Sequence, residues 1–275
     1  MFQRLIKNDL KENKISMLVI GLFLLLTLTL SFTATRLTVS LTSSIERFVE
    51  TAKSPHLLQM HSGSVDRERL KNFVQQHPEI ADWQVTEFVN VEGSAIRINE
   101  KNSLQDSSQD NGFSSQNQNF DFLLDQNNQS AQPRPGQVYI PLYYYNSGKI
   151  KIGDKIRVGK LELTVQGFIR DAQMNAGLVS SKRFLISQTD LQTLKKEAFA
   201  SSENLIAFRV HKLSQISTIE QAYKNAELES NGPPMITYPT IKMINGFNDA
   251  LVILVMGLLV VAIIGITFLC MRFAL

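Results

Sequence analysis

Residues 15–53 read "ISMLVIGLFLLLTLTLSFTATRLTVSLTSSIERFVETAK". The first 21 of them, Ile15 to Thr35, hold no charged side chain. Wound as a helix, they cover roughly 30 Å, the depth of a bilayer's hydrocarbon core. The helical period then continues past Arg36. Leu41, Ile45, Phe48, Val49 and Ala52 recur at helical spacing and draw an apolar stripe on an otherwise polar surface. This stretch decides the architecture, because it predicts a membrane helix that leaves the bilayer as a stalk. A cleaved signal peptide fits poorly, since the apolar run exceeds an ordinary signal core and no A-x-A site follows.

The other end of the chain repeats the pattern in reverse. Ile241, Ile244, Phe247 and Leu251 form a stripe, with Pro239 placed to start the helix. The 22 uncharged residues 250–271, "ALVILVMGLLVVAIIGITFLCM", predict a second membrane helix. Arg4, Lys7, Lys11 and Lys14 precede the first span, and Arg272 follows the second. The positive-inside rule then puts both termini in the cytoplasm and residues 36–249 outside. The expected division is residues 1–14 as a cytoplasmic amphipathic helix, 15–35 as the first span, 36–249 as an outer domain with stalks, 250–271 as the second span, and 272–275 as the start of a further cytoplasmic segment. In residues 1–14, Phe2, Leu5, Ile6 and Leu10 share one face, fit either for the headgroup interface or for a plain topology anchor.

Whole-chain averages hide this segregation. The 275 residues are 44% hydrophobic, with a mean hydropathy of −0.05, a net charge of +3 and a pI near 8.9. No Lys/Arg cluster interleaved with aromatics occurs, which argues against nucleic acid as a partner. Cys270 is the single cysteine, so no disulfide forms within the chain and the outer domain must rest on its own core.

Between the stalks the periodicity is mixed. Strands are expected in "HLLQMHS", "WQVTEFVNVEGSAIRIN", "QVYIPLYYY" and "NLIAFRVH", with Pro141 favouring an edge or a bulge. "KIRVGKLELTVQGFIRD" reads as a hairpin about Val158-Gly159-Lys160, entered by a turn at Ile152, Gly153 and Asp154. Helices are expected in "DRERLKNFVQQH", with Leu70, Phe73 and Val74 inward, in "QTDLQTLKKEAF" and in "ISTIEQAYKNAEL". The order predicts an α+β domain with mostly antiparallel pairing. Residues 99–132 stand apart, rich in Asn, Gln, Ser and Asp, and read as a mobile polar loop between strands. Its one apolar patch, "FDFLLD" at Phe120–Asp125, is suited to docking on the domain or on a partner.

A search for chemistry yields no catalytic, cofactor-binding or metal-ligating set. His56, His61, His77 and His211 lack ligand spacing with one another or with carboxylates. "SGKI" at Ser147–Ile150 lacks the upstream Gly and the Ser/Thr of a phosphate-binding loop, so no ATPase activity is expected in this chain. Asp66, Glu68, Glu220 and Glu227 read as solvated helix faces. The two spans carry no ionisable residue, which opposes an ion pathway through them. Gly257, Ala262 and Gly265 offer either a close helix contact or a lipid face with scattered small residues.

Taken together, the basic start "FQRLIKNDLKENK", the span that becomes a stalk, and Tyr139–Met174, "YIPLYYYNSGKIKIGDKIRVGKLELTVQGFIRDAQM", resemble the N-terminal part of an FtsX-like (MacB-type) ABC transporter permease. Gly153-Asp154 before the hairpin and Gly167-Phe168 in its second strand occupy the family's motif places. The resemblance implies a MacB periplasmic-core-like domain in a bacterial cytoplasmic membrane, a partner ATPase that binds ATP, a permease dimer, and export or extraction of a peptide, antibiotic or lipid-like substrate. This chain stops at Leu275, before the cytoplasmic segment that engages the ATPase in that family. Two other readings share the topology. One is a sensor of the histidine-kinase or chemoreceptor type, with a ligand-binding outer domain. The other is a chain-length regulator of surface polysaccharide, which the many expected strands oppose.

Overall fold

The computed structural model describes residues 14–174, 180–197, 199–228, 236–237 and 239–274. Two compact units divide the chain, Met1–Glu46 with Met243–Leu275, and Arg47–Lys242. The expected amphipathic helix at 1–14 lies outside the described residues apart from its last position.

The described residues of the first unit are helical. α1 runs unbroken over Lys14–Thr51 and so contributes residues to both units. It is the one described helix long and apolar enough to cross a membrane, over Gly21–Thr51. Its apolar side chains, Leu22, Leu25, Leu28 and Phe32 among them, face outward, as lipid contact requires. Polar hydroxyls in this stretch turn back on the helix, Thr27 to the Phe23 carbonyl and Thr33 to the Thr29 carbonyl, which removes their need for water. The last helix of the chain, Pro239–Ala274, starts at Pro239 as expected. Its apolar stretch among the described residues is shorter, Asp249–Gly265. Of the expected second stripe, the side chains of Ile241, Ile244 and Phe247 lie outside those described.

The second unit is α+β, with an eleven-stranded sheet. In chain order the strands are β1 Leu57–Ser62, β2 Ile80–Val91, β3 Ile96–Ile98, β4 Asn102–Ser103, β5 Asp110–Ser114, β6 Gln137–Pro141, β7 Lys155–Val158, β8 Leu161–Ile169, β9 Ser181–Ile186, β10 Ser201–Val210 and β11 Ile236–Thr237. Their spatial order is β11-β1-β10-β2-β5-β9-β6-β8-β7-β3-β4. Among the described strands, only β5 with β9 and β6 with β8 pair in parallel. The hairpin forms where its pattern put it, with Val158 opposite Leu161 and Gly159 at φ +57°. Gly153, at φ +91°, and Asp154 turn the chain into it, and the Asp154 carboxylate accepts the Lys151 N–H at 2.8 Å.

One face of the sheet carries two cores. Against β1 and β10 pack α2, Arg67–Gln76, and α5, Ile216–Asn225, through Leu70, Phe73, Ile219 and Tyr223. Asp66, exposed as expected, also caps α2 by accepting the Arg69 N–H at 3.0 Å. Farther along, Tyr144 of the short α3, Leu142–Asn146, and Leu191 and Leu194 of α4, Gln188–Leu194, cover β6, β8 and β9. "QVYIPLYYY" is therefore a strand followed by a helix. β6 has neighbours on both sides, and Pro141 ends it where only the β8 ladder continues.

The expectation for residues 99–132 needs correcting. Instead of a polar excursion, this stretch supplies β4 and β5, and β5 lies inside the sheet between β2 and β9. Gly112 shows why the pattern concealed it. A Cβ there would fall 1.8 Å from the ring of Phe88, so the strand spends a position on glycine to admit a neighbour's aromatic. "FDFLLD" docks within the domain, with Phe120, Leu123 and Leu124 buried over the second face of the sheet.

Candidate functional site

The end of α1 is tied into the second unit by a dense set of hydrogen bonds. The last turn of α1 packs into that unit, since Phe48 and Val49 are half-buried and Ala52 is buried. The helix stops in a Schellman motif: the Ser54 N–H reaches the Val49 carbonyl and the Lys53 N–H reaches the Glu50 carbonyl, both at 3.0 Å. Lys53 takes the left-handed position, φ +45°, that glycine usually fills.

Carbonyls left over at a helix end must find donors. Here the "FDFLLD" segment supplies them. The Phe122 N–H donates to the Ala52 carbonyl at 2.8 Å and the Asp121 N–H to the Lys53 carbonyl at 3.0 Å. A guanidinium N–H of Arg209, on β10, donates to the Ser54 carbonyl. Two cation–π contacts flank these bonds, Lys53 over Phe122 at 5.6 Å and Arg170 over Phe48 at 5.5 Å.

Behind Asp121 lies a buried ionic cluster. Arg183, on β9, is 1% exposed and grips Asp171 with two bonds, Nε to Oδ2 at 2.8 Å and Nη2 to Oδ1 at 3.0 Å. Its Nη1 reaches Asp121 Oδ2 at 2.9 Å. The backbone N–H groups of Gln173 and Met174 also donate to Asp171. Burial pushes Asp121 up, and the charge of Asp171 adds to that against the pull of Arg183. For Asp171 burial acts the same way, but Arg183 and the two backbone donors prevail and hold it low. Burial works against the Arg183 charge, and the two carboxylates more than offset it.

Amide side chains of the polar segment complete the junction. Asn117 Nδ2 donates to Asp121, and its Oδ1 accepts from Thr86 of β2 at 2.7 Å. Gln116 donates to the Leu123 and Ala131 carbonyls and accepts the Leu123 N–H. Gln84 of β2 holds the Phe120 carbonyl. The Asn/Gln richness that suggested a loop thus serves as internal bonding.

The histidines do not converge. His56 accepts the Val210 N–H through Nδ1 at 3.0 Å, and burial, then the charge of Arg209, pushes it down to about 4. His61 lies near the Ser64 carbonyl, and His77 contacts the Phe73 carbonyl and lies tilted against its ring, with centroids 4.1 Å apart. No cluster of three or more His, Cys, Asp or Glu suited to a metal occurs among the described residues. Elsewhere, ends of the internal strands β1, β2, β5 and β10 border a cleft of about 810 Å³ with Asn90, Glu92, Asp110 and Glu203 on its wall.

Sequence reading found the Phe120–Asp125 patch but not Arg183 or Asp171. The signal that was available is the strand "SKRFLI" itself, in which Lys182 and Arg183 interrupt an apolar run.

No protein-family model and no curated protein matches this chain. Among solved structures it is similar to the periplasmic region of MacB from Actinobacillus actinomycetemcomitans, at 10% identity and a TM-score of 0.37, covering 73% of this chain and 96% of that one. It is also similar to the extracellular domain of the noncanonic ABC-type transporter YknZ from Gram-positive bacteria, at 12% identity and a TM-score of 0.35, covering 66% and 98%. Likeness at this level carries no functional argument by itself.

Proposed function

We propose that this chain is the permease part of an ABC transporter, in which a partner ATPase drives movement of the outer domain to export or extract a peptide, antibiotic or lipid-like substrate. One observation carries the reading. The apolar helix α1 continues without a break to Thr51, and its end is bonded into the sheet domain through Ala52, Lys53 and Ser54. A helix that merely anchors a domain needs no such attachment, because a flexible linker tethers equally well. A stiff helix fixed at its end transmits displacement.

In this reading residues 15–35 and 250–271 are membrane spans, 36–249 lie outside a bacterial cytoplasmic membrane, and both ends are cytoplasmic. Two copies pair in the bilayer, ATP binds to the partner subunit, and the chain itself performs no bond chemistry. The test is affinity capture of the full-length protein from mild detergent. Recovery of an ATP-binding subunit in fixed stoichiometry supports the proposal, and its absence, with a kinase or signalling partner instead, overturns it. The sensor reading draws on the cleft of about 810 Å³, and the same capture decides against it when the ATPase appears.

A further inference from the structure

We propose that the helix–sheet junction is a proton-operated latch, in which Asp121 and Asp171 share one buried guanidinium and the proton that balances the cluster sits on Asp121.

The stoichiometry is the starting point. Two carboxylates and Arg183 sit together with exposures of 1–3%, so ionising both leaves an excess negative charge away from water. A buried charge of that kind is expensive, and a shared proton removes it. Geometry says which carboxyl takes it. Asp171 holds the bidentate side of the guanidinium and accepts two backbone N–H groups, all of which favour its charged form. Asp121 has only one guanidinium contact, and its other partners are side-chain amides.

Gln173 gives the proton a destination. Its amide nitrogen lies 2.6 Å from Asp121 Oδ1, short for N–H···O yet ordinary for O–H···O. Among the described residues, its Oε1 is buried without a hydrogen-bond partner and that nitrogen makes no other hydrogen bond. Turning the amide over therefore costs no other hydrogen bond and presents Oε1 to an Asp121 O–H. The proton comes from external water and returns to it.

Other charges around the cluster are committed elsewhere. The Lys53 ammonium lies over Phe122, and Arg170 binds the Asp125 carbonyl and Asn128. Lys182 points from the other face of β9 to the Tyr143 ring, 5.0 Å away, and its charge acts on Asp171 rather than on Asp121. On β2 and β10, Arg209 serves the Ser54 carbonyl with Asp82 beside it. Because the Asp121 backbone N–H is itself one of the bonds to the end of α1, the protonation state of its side chain bears directly on that attachment. A carboxyl held protonated in the folded state contributes stability at low pH and loses it as pH rises through its folded pKa, so the latch tightens on acidification.

The test is hydrogen exchange of the full-length chain in lipid nanodiscs, corrected for intrinsic rates, together with infrared detection of protonated carboxyls at pH 7. Asp121→Asn, which mimics the protonated state, is expected to keep the protection of residues 48–54 and 120–125 and to make it independent of pH. Asp171→Asn is expected to reduce that protection about tenfold more, because it removes the anion that accepts two guanidinium and two backbone N–H bonds. The wild-type infrared spectrum is expected to contain a protonated-carboxyl band that Asp121→Asn removes. A larger loss in Asp121→Asn than in Asp171→Asn, or a band that survives Asp121→Asn, overturns the proposal. Where neither variant folds, the wild-type spectrum decides, and absence of the band overturns it.

Discussion

Two groups of ion pairs in the second unit use the same residue types to different ends. On the β3–β7–β8 side, Lys155 pairs with Glu162 at 3.3 Å and Arg157 with Glu100, all largely exposed. At the end of α1, Arg183 pairs with Asp121 and Asp171 in near-complete burial. Exposed pairs gain little, because water and salt screen the attraction and ordering two long side chains costs entropy. Buried ones are held at high stakes, since removing one partner strands an uncompensated charge. Burial, more than charge or spacing, separates a decorative pair from a structural one.

The largest effect that tests this contrast is Arg183→Met. Asp171 then loses its counter-charge and Asp121 a hydrogen-bond donor, and an expected loss of about 3–5 kcal/mol is read from denaturant unfolding of the full chain. A loss below about 1 kcal/mol would place the cluster with the exposed pairs. Next is Gly112→Ala, which sets a methyl against the Phe88 ring and is expected to cost about 1–3 kcal/mol by displacing a fully buried aromatic. Asn117→Ala, which strips a donor from Asp121 and an acceptor from Thr86, falls in a similar range of about 1–2 kcal/mol.

A pH series sharpens the comparison at a different point. The folded-state pKa of His56 lies near 4, below the value of 6.5 for a free imidazole. The unfolded chain therefore takes up this proton first, and the His56 term lowers stability as pH falls from about 6.5 to about 4, then levels off. It acts opposite in sign to the Asp121 latch. His56→Gln, which keeps an acceptor for the Val210 N–H, is expected to flatten that part of the thermal-melting profile. The smallest effect is Glu162→Gln, expected to stay within about 0.5 kcal/mol at moderate salt.

What could be read from the residues follows the same division. The hairpin at Gly159 and the helix over Leu70 and Phe73 were legible because each has a single exposed face and a regular period, and α1 because it opens on a long uncharged apolar run. β5 and β9 were not. Both are buried on two faces inside the sheet, so no alternation marks them, and each carries residues that usually signal loops or surface. Asn111 and Gly112 in one, and Lys182 and Arg183 in the other, are explained only by tertiary partners. The junction was half legible: the Phe120–Asp125 patch stood out by its hydrophobicity, whereas Asp171 and Arg183 are far from it in sequence and meet it only through the fold.

The central claim is that α1 passes motion into the outer domain through its bonded end. Hydrogen exchange at residues 48–54 and 120–125, measured on the full-length chain with its captured ATPase in nanodiscs, tests this most directly. The account predicts that protection there changes between nucleotide-free and ATP-bound states, and that Arg183→Met abolishes the change while ATP hydrolysis continues. Protection that is identical in both nucleotide states, with the ATPase bound and active, would contradict it.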